Sequence, residues 1–108
     1  MKSVRRRYLA IEIDVARKIE ERELKNAVWN AVGRLFGEYG ASKTDFVLIR
    51  YDATENFAVF RCANASVEAF RASLALITEI GQEPVTIHVL GVSGTLKSLK
   101  GRYPNVRQ

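Results

Sequence analysis

One cysteine, one histidine and two prolines are all that the 108 residues contain of those types. A single thiol, Cys62, can form no internal disulfide and cannot build a cysteine-rich zinc site. The lone His88 has no second imidazole with which to make a histidine-based metal cluster. No apolar run approaches the roughly 20 residues needed to span a bilayer, so no membrane partner is expected. The first residues, MKSVRRRYLAIEIDVA, have the basic head of a signal peptide. Glu12 and Asp14 interrupt what would be its apolar part, so no export signal is expected. A reducing, cytoplasmic setting is the simplest expectation. Internal repeats, low-complexity segments and Pro/Gly-rich linkers are also missing. A single domain over residues 1–108 is therefore expected, and a hydrophobic content of 47% is enough to give it a core.

Acid is missing from both ends of the chain. Residues 1–7 carry Lys2, Arg5, Arg6 and Arg7, and residues 84–108 carry Lys97, Lys100, Arg102 and Arg107, with no Asp or Glu in either segment. All twelve acids lie between residues 8 and 83, so a mildly acidic body joins two strongly basic ends and the net charge is +5. Such asymmetry points to a polyanionic partner, and nucleic acid is the first candidate. The plainer reading is that basic ends aid solubility.

The hydrophobic pattern alternates between strands and helices. In RYLAIEID (Arg7–Asp14), Leu9, Ile11 and Ile13 share one face, and Tyr8, Ala10 and Glu12 the other. A helical stripe follows through Leu24, Val28, Ala31, Val32, Leu35 and Phe36, with Gly37 and Gly40 offering a stop. DFVLIRYD (Asp45–Asp52) and NFAVFRC (Asn56–Cys62) read as strands of a hairpin. Ser66 is placed to cap a second helix, whose apolar side is Val67, Phe70, Leu74 and Ile77, with Gly81 just past its end. PVTIHVLGV (Pro84–Val92) is a fourth strand, and a short helix is expected from Thr95. The order predicts an α+β, ferredoxin-like or RRM-like β-α-β-β-α-β sandwich. Its four-stranded antiparallel sheet has order 4-1-3-2, with a short C-terminal helix added.

That topology brings the start of strand 1 beside the end of strand 4, so the two basic ends should form one patch. Arg50, late in strand 2, is expected near it. Strands 2 and 3 are apolar on both faces, with Val47, Ile49 and Tyr51 opposite Phe46 and Leu48, and two helices cover only one face. Either the C-terminal helix, through Leu96 and Leu99, covers the second face or a partner protein does, meeting Phe46, Leu48 and Phe60.

Motifs for catalysis are weak. A Cys62/His88 dyad lacks any supporting pattern. Asp45 with Asp52, or Glu20, Glu21 and Glu23, could hold Mg²⁺ weakly, but read more simply as solvated charges. GVSG (Gly91–Gly94) matches the KH-domain GxxG only literally, since a strand precedes it, and a Walker loop is absent. A backbone amide of Ser93 to Thr95 could hold a phosphate at the start of the last helix. ENFAVFRC departs from the RRM consensus at Glu55, Asn56, Val59 and Cys62, so phosphate contact is expected rather than base stacking on the sheet.

WNAVGRLFGEYGASKTDFVLIRYD (Trp29–Asp52) and LALITEIGQEPVTIHVLGVSGTLKSLK (Leu74–Lys100) resemble the archaeal ribonuclease P protein component 2 family. RRRYLAIEI is similar as well, so the resemblance covers roughly residues 5–100, with YDATENFAVFRCANAS more divergent. It implies a subunit of ribonuclease P, the tRNA-processing enzyme that removes the 5′ leader of precursor tRNA. It further implies that the RNA subunit is the catalyst and uses Mg²⁺. The protein itself would have no active site, metal or bound cofactor. The implied partners are ribonuclease P RNA and ribonuclease P protein component 3, with precursor tRNA met indirectly and a homodimer inside a heterotetramer. The residues expected on the RNA are Lys2, Arg5, Arg6, Arg7, Arg50, Lys97, Lys100 and Arg102. Two alternatives remain. One is a ferredoxin-like acylphosphatase, for which Arg17 is present but the glycine-rich anion loop is not. The other is a protein-interaction or ligand-sensing domain without RNA.

Overall fold

The computed structural model describes residues 5–103. Its elements are β1 (Arg6–Val15), α1 (Glu21–Thr44), β2 (Val47–Asp52), β3 (Phe57–Ala63), α2 (Val67–Ala75), β4 (Glu79–Ile80), β5 (Glu83–Ser93) and α3 (Leu96–Arg102). A single 3₁₀ turn, Asn64–Ser66, leads into α2. The fold is α+β, with an antiparallel sheet in the order β2-β3-β1-β5-β4. Five strands stand where four were expected. The addition is β4, a two-residue strand paired with the start of β5.

β1 lies at the centre of the sheet, hydrogen-bonded to β3 on one side and β5 on the other. Leu9, Ile11 and Ile13 pack beneath α1 and α2 with Leu24, Val28, Phe60, Phe70 and Leu74. This is the main core. Helix α1 begins with a reciprocal cap. The Glu23 side chain accepts from the backbone N–H of Glu20, while the Glu20 side chain caps the first turn. Arg17 donates to the same Glu23 carboxylate at 3.0 Å and holds its carboxyl below the usual carboxylate range.

Several boundaries differ from the sequence expectation. α1 does not stop at Gly37 or Gly40; it bends at Gly37 (φ 74°, ψ 175°) and continues to Thr44. That backbone region is essentially open to glycine alone. The bend turns Ala41 into the core and leaves Leu35 and Phe36 exposed at the end of the expected stripe. Ser66 offers α2 no side-chain cap; its hydroxyl donates to the Lys43 carbonyl instead. Gly81 terminates no helix. With Gln82 it makes the β4–β5 turn, both at positive φ (57° and 69°), as a two-residue type I′ hairpin requires.

β2 carries the most consequential departure. Its register with β3 shifts between Leu48 and Arg50, so Leu48 pairs with Phe60 and Arg50 with Val59. A bulge breaks strict alternation. Leu48 and Tyr51 consequently pack on the main core, and Ile49 packs on the opposite face. Tyr51 therefore does not share a face with Ile49, as unbroken alternation predicts. Its hydroxyl donates to the Ile19 carbonyl.

The second face is closed by the C-terminal helix. Leu99 of α3 is fully buried against Ala10, Phe57 and Val59, with Leu96, Tyr8, Ile49 and Tyr103 around them. Thr95 caps α3 by accepting from the Ser98 N–H at 3.1 Å. Tyr103 then crosses β5, its hydroxyl donating to the Leu90 carbonyl at 2.6 Å. Gly91 permits this crossing, since a Cβ there would lie 2.6 Å from the Tyr103 hydroxyl. Three substitutions test the division between core and surface in urea titrations. Phe60→Ala and Leu99→Ala should cost about 3–5 and 2–5 kcal/mol, whereas Val47→Ala, on an exposed edge, should stay within about 0.5 kcal/mol. Equal, small losses at all three would contradict this packing.

Candidate nucleic-acid interface

The register decides where the basic residues go. Tyr8, near the start of β1, pairs with Ser93 at the end of β5. The N-terminal arginines and the α3 lysines thus converge on one end of the sheet. Lys2 lies outside the described residues. Arg5 and Lys97 are exposed and Lys100 is half-buried, and none of the three has a carboxylate within 4.0 Å among the described residues.

The other residues of the expected patch have partners. Arg6 is bound to Asp45, Nε at 3.2 Å and Nη2 at 3.0 Å, so its charge is already balanced. Arg7 donates through Nε to Asn64 Oδ1 at 2.8 Å, which fixes the side chain and leaves its charge uncompensated. Arg102 donates to the Val92 carbonyl at 3.0 Å and stacks 5.8 Å from the Tyr103 ring centroid. It fastens α3 to β5. Within the Ser93–Thr95 segment, the Thr95 N–H is already directed at Ser93 Oγ at 3.3 Å.

Arg50 is not at the basic end. β2 runs parallel to β1, so its later residues lie further into the sheet. Arg50 stands level with Val59, which in turn pairs with Ala10. Close by is a residue that sequence reasoning missed. Arg61 pairs with Tyr8 on β1 and with Val47 on β2, on the face of Val59 rather than that of Phe60. A basic residue inside an otherwise apolar strand is the signal that could have marked it.

Phe46, Leu48 and Phe60 were expected to meet a partner. Phe60 is fully buried in the main core. Phe46 packs 5.4 Å from Phe70 and 5.7 Å from Trp29 between ring centroids. With α3 on the second face, exposed apolar residues include Trp29, Leu35, Phe36 and Tyr39 on α1, the last 75% exposed, together with Val47, Leu76 and Leu90. Trp29 shares an open groove with Phe46, Val47, Leu48 and Phe60. Phe57, the aromatic an RRM-like sheet would offer to a base, is buried beneath α3.

Residues 7–103 match the model of the Rpp14/Pop5 family. The chain belongs to that family. It is 36% identical over 99 residues to ribonuclease P protein component 2 of Pyrococcus furiosus, covering 92% of this chain and 82% of the relative. It is 34% identical over 104 residues to the Methanocaldococcus jannaschii protein of the same name, covering 96% and 76%. A chain in the cryo-EM structure of yeast ribonuclease MRP has the same fold, with a TM-score of 0.72 and 14% identity over 99% of this chain and 98% of that one.

The Cys62/His88 dyad, for which the sequence offers no supporting pattern, does not form in this Rpp14/Pop5 chain. Cys62 is buried in the main core, while His88 is exposed on β5. Burial, with a smaller contribution from the Asp45 carboxylate, pushes the Cys62 thiol up to about 11. The folded state therefore holds the thiol proton more tightly than the unfolded one. Its contribution to stability is complete below the ordinary thiol range and is lost as pH rises toward about 11. At pH 8 the buried thiol is held protonated. A disulfide reagent at pH 8 should modify Cys62 at the rate of unfolding, and rapid stoichiometric modification of the native protein would contradict this.

Proposed function

We propose that this chain is a protein subunit of ribonuclease P, acting in removal of the 5′ leader of precursor tRNA. What carries the reading is the match to proteins named ribonuclease P protein component 2 along almost the whole chain. The geometry supports it, because basic residues far apart in sequence stand at one sheet end, where Arg5, Lys97 and Lys100 have no carboxylate partner among the described residues. On this reading the RNA subunit and its Mg²⁺ perform the cleavage, and this chain holds RNA. Close-packed phosphates repel, and cations fixed on a rigid sheet lower the Mg²⁺ needed to fold them together. Arg5, Arg7, Lys97 and Lys100 are the residues proposed to make those contacts. The open apolar strip of α1 around Trp29 is the proposed surface for ribonuclease P protein component 3.

Nothing favours the acylphosphatase alternative. Arg17, its only candidate for anion binding, is bound to Glu23 and to the Lys18 carbonyl. The test is reconstitution with ribonuclease P RNA and component 3, following precursor tRNA cleavage against Mg²⁺ concentration. The triple variant Arg5→Ala, Lys97→Ala, Lys100→Ala should need more Mg²⁺ for half-maximal activity. It should also flatten the log–log salt slope of RNA binding by about 2, near 0.7 per lost contact. An unchanged Mg²⁺ midpoint and slope would refute this assignment.

A further inference from the structure

The geometry points to a second phosphate-binding element, running from the basic sheet end further into the sheet, formed by Arg50 and Arg61 on the sheet face beside α3. This inference rests on the ribonuclease P reading and names RNA backbone phosphate as the ligand. The β2 bulge creates the pair. Because Arg50 takes the position opposite Val59, it becomes a diagonal neighbour of Arg61, two residues further along β3 on the same face. Strict alternation from Leu48 would also have placed Arg50 on the main-core face, with Phe60.

Three observations make the pair a binding element rather than two surface charges. Both side chains are only partly exposed, and the Nε of each is covered and has no hydrogen-bond acceptor. A covered donor without an acceptor is costly, and an oxyanion supplies one when the guanidinium turns to it. Neither arginine has a carboxylate within 4.0 Å among the described residues, in contrast to Arg6 and Arg17. Like charges held as near neighbours on one sheet face destabilise it unless an anion lies between them. Planar guanidinium groups fixed by their stems are suited to bidentate phosphate contact. Tyr8, directly opposite Arg61 and partly exposed, adds a hydroxyl and a ring at the border.

Binding of the full-length chain to ribonuclease P RNA would be measured from low to moderate salt. Arg50→Gln and Arg61→Gln should each flatten the log–log slope by about 0.7 and weaken binding about tenfold. Arg71→Gln, exposed on α2 across the sheet, should leave both unchanged. Arg61→Lys should keep the slope yet still bind several-fold more weakly, since it retains the charge and loses the fork. Folded Gln variants with the parent slope and affinity would overturn the site. Should the Gln variants fail to fold by circular dichroism, Arg50→Lys and Arg61→Lys decide: parent affinity in both overturns it, and weaker binding at an unchanged slope supports it. Failure of the parent chain itself to bind the RNA in a salt-dependent way would instead overturn the ribonuclease P reading and the site with it.

Discussion

The pairing of β1 along both of its edges is the constraint from which the rest of the structure follows. Along its middle, where it is hydrogen-bonded on both sides and covered on both faces, the strand has no exposed surface to leave polar; Glu12 and Asp14, further along, are exposed. Leu9, Ile11 and Ile13 therefore serve one layer, while Ala10 serves the other. The same pairing brings the beginning of the described chain against the end of its last long strand. Charge separated by some ninety residues is concentrated at one sheet end because β1 and β5 are antiparallel neighbours.

Closure of the second face is the step that separates this molecule from an open base-stacking sheet. A small residue, Ala10, leaves room on the central strand, and Leu99 fills it from above. Tyr103 and Arg102 then fasten α3 to carbonyls of β5, over a glycine that makes space for the tyrosine ring. Arg102 illustrates how a basic residue in a basic segment can belong to the framework. What remains at the α3 border is basic and polar, suited to phosphates rather than to bases.

Partners sort the arginines more sharply than position in sequence does. Arg6 and Arg17 are neutralised by carboxylates, and Arg102 holds a carbonyl. Arg7 is oriented by an uncharged side chain, which positions its charge without cancelling it. Arg50 and Arg61 are diagonal neighbours on a largely apolar face, with no carboxylate partner among the described residues. In a protein proposed to hold RNA, the uncompensated groups are the ones with free energy to gain from a polyanion.

Alternation and helical periodicity in the sequence determined the strands, the helices, the pairing that unites the ends and the short helix that closes the second face. Each of these depends on local patterning repeated over several residues. The family was legible too, in the runs around LFGEYGASK and VLGVSGT. What tertiary structure alone decided were single-residue events. The bulge at Ile49 and Arg50 reassigned faces along β2, the bend at Gly37 redirected the end of α1, and a two-residue turn at Gly81 added β4. Which arginines are spent on Asp45, Glu23 or Val92 was equally hidden. The physical reason is common to them all. Periodicity reports which way a side chain faces its own element, whereas register shifts and ion pairs depend on what the neighbouring element places opposite it.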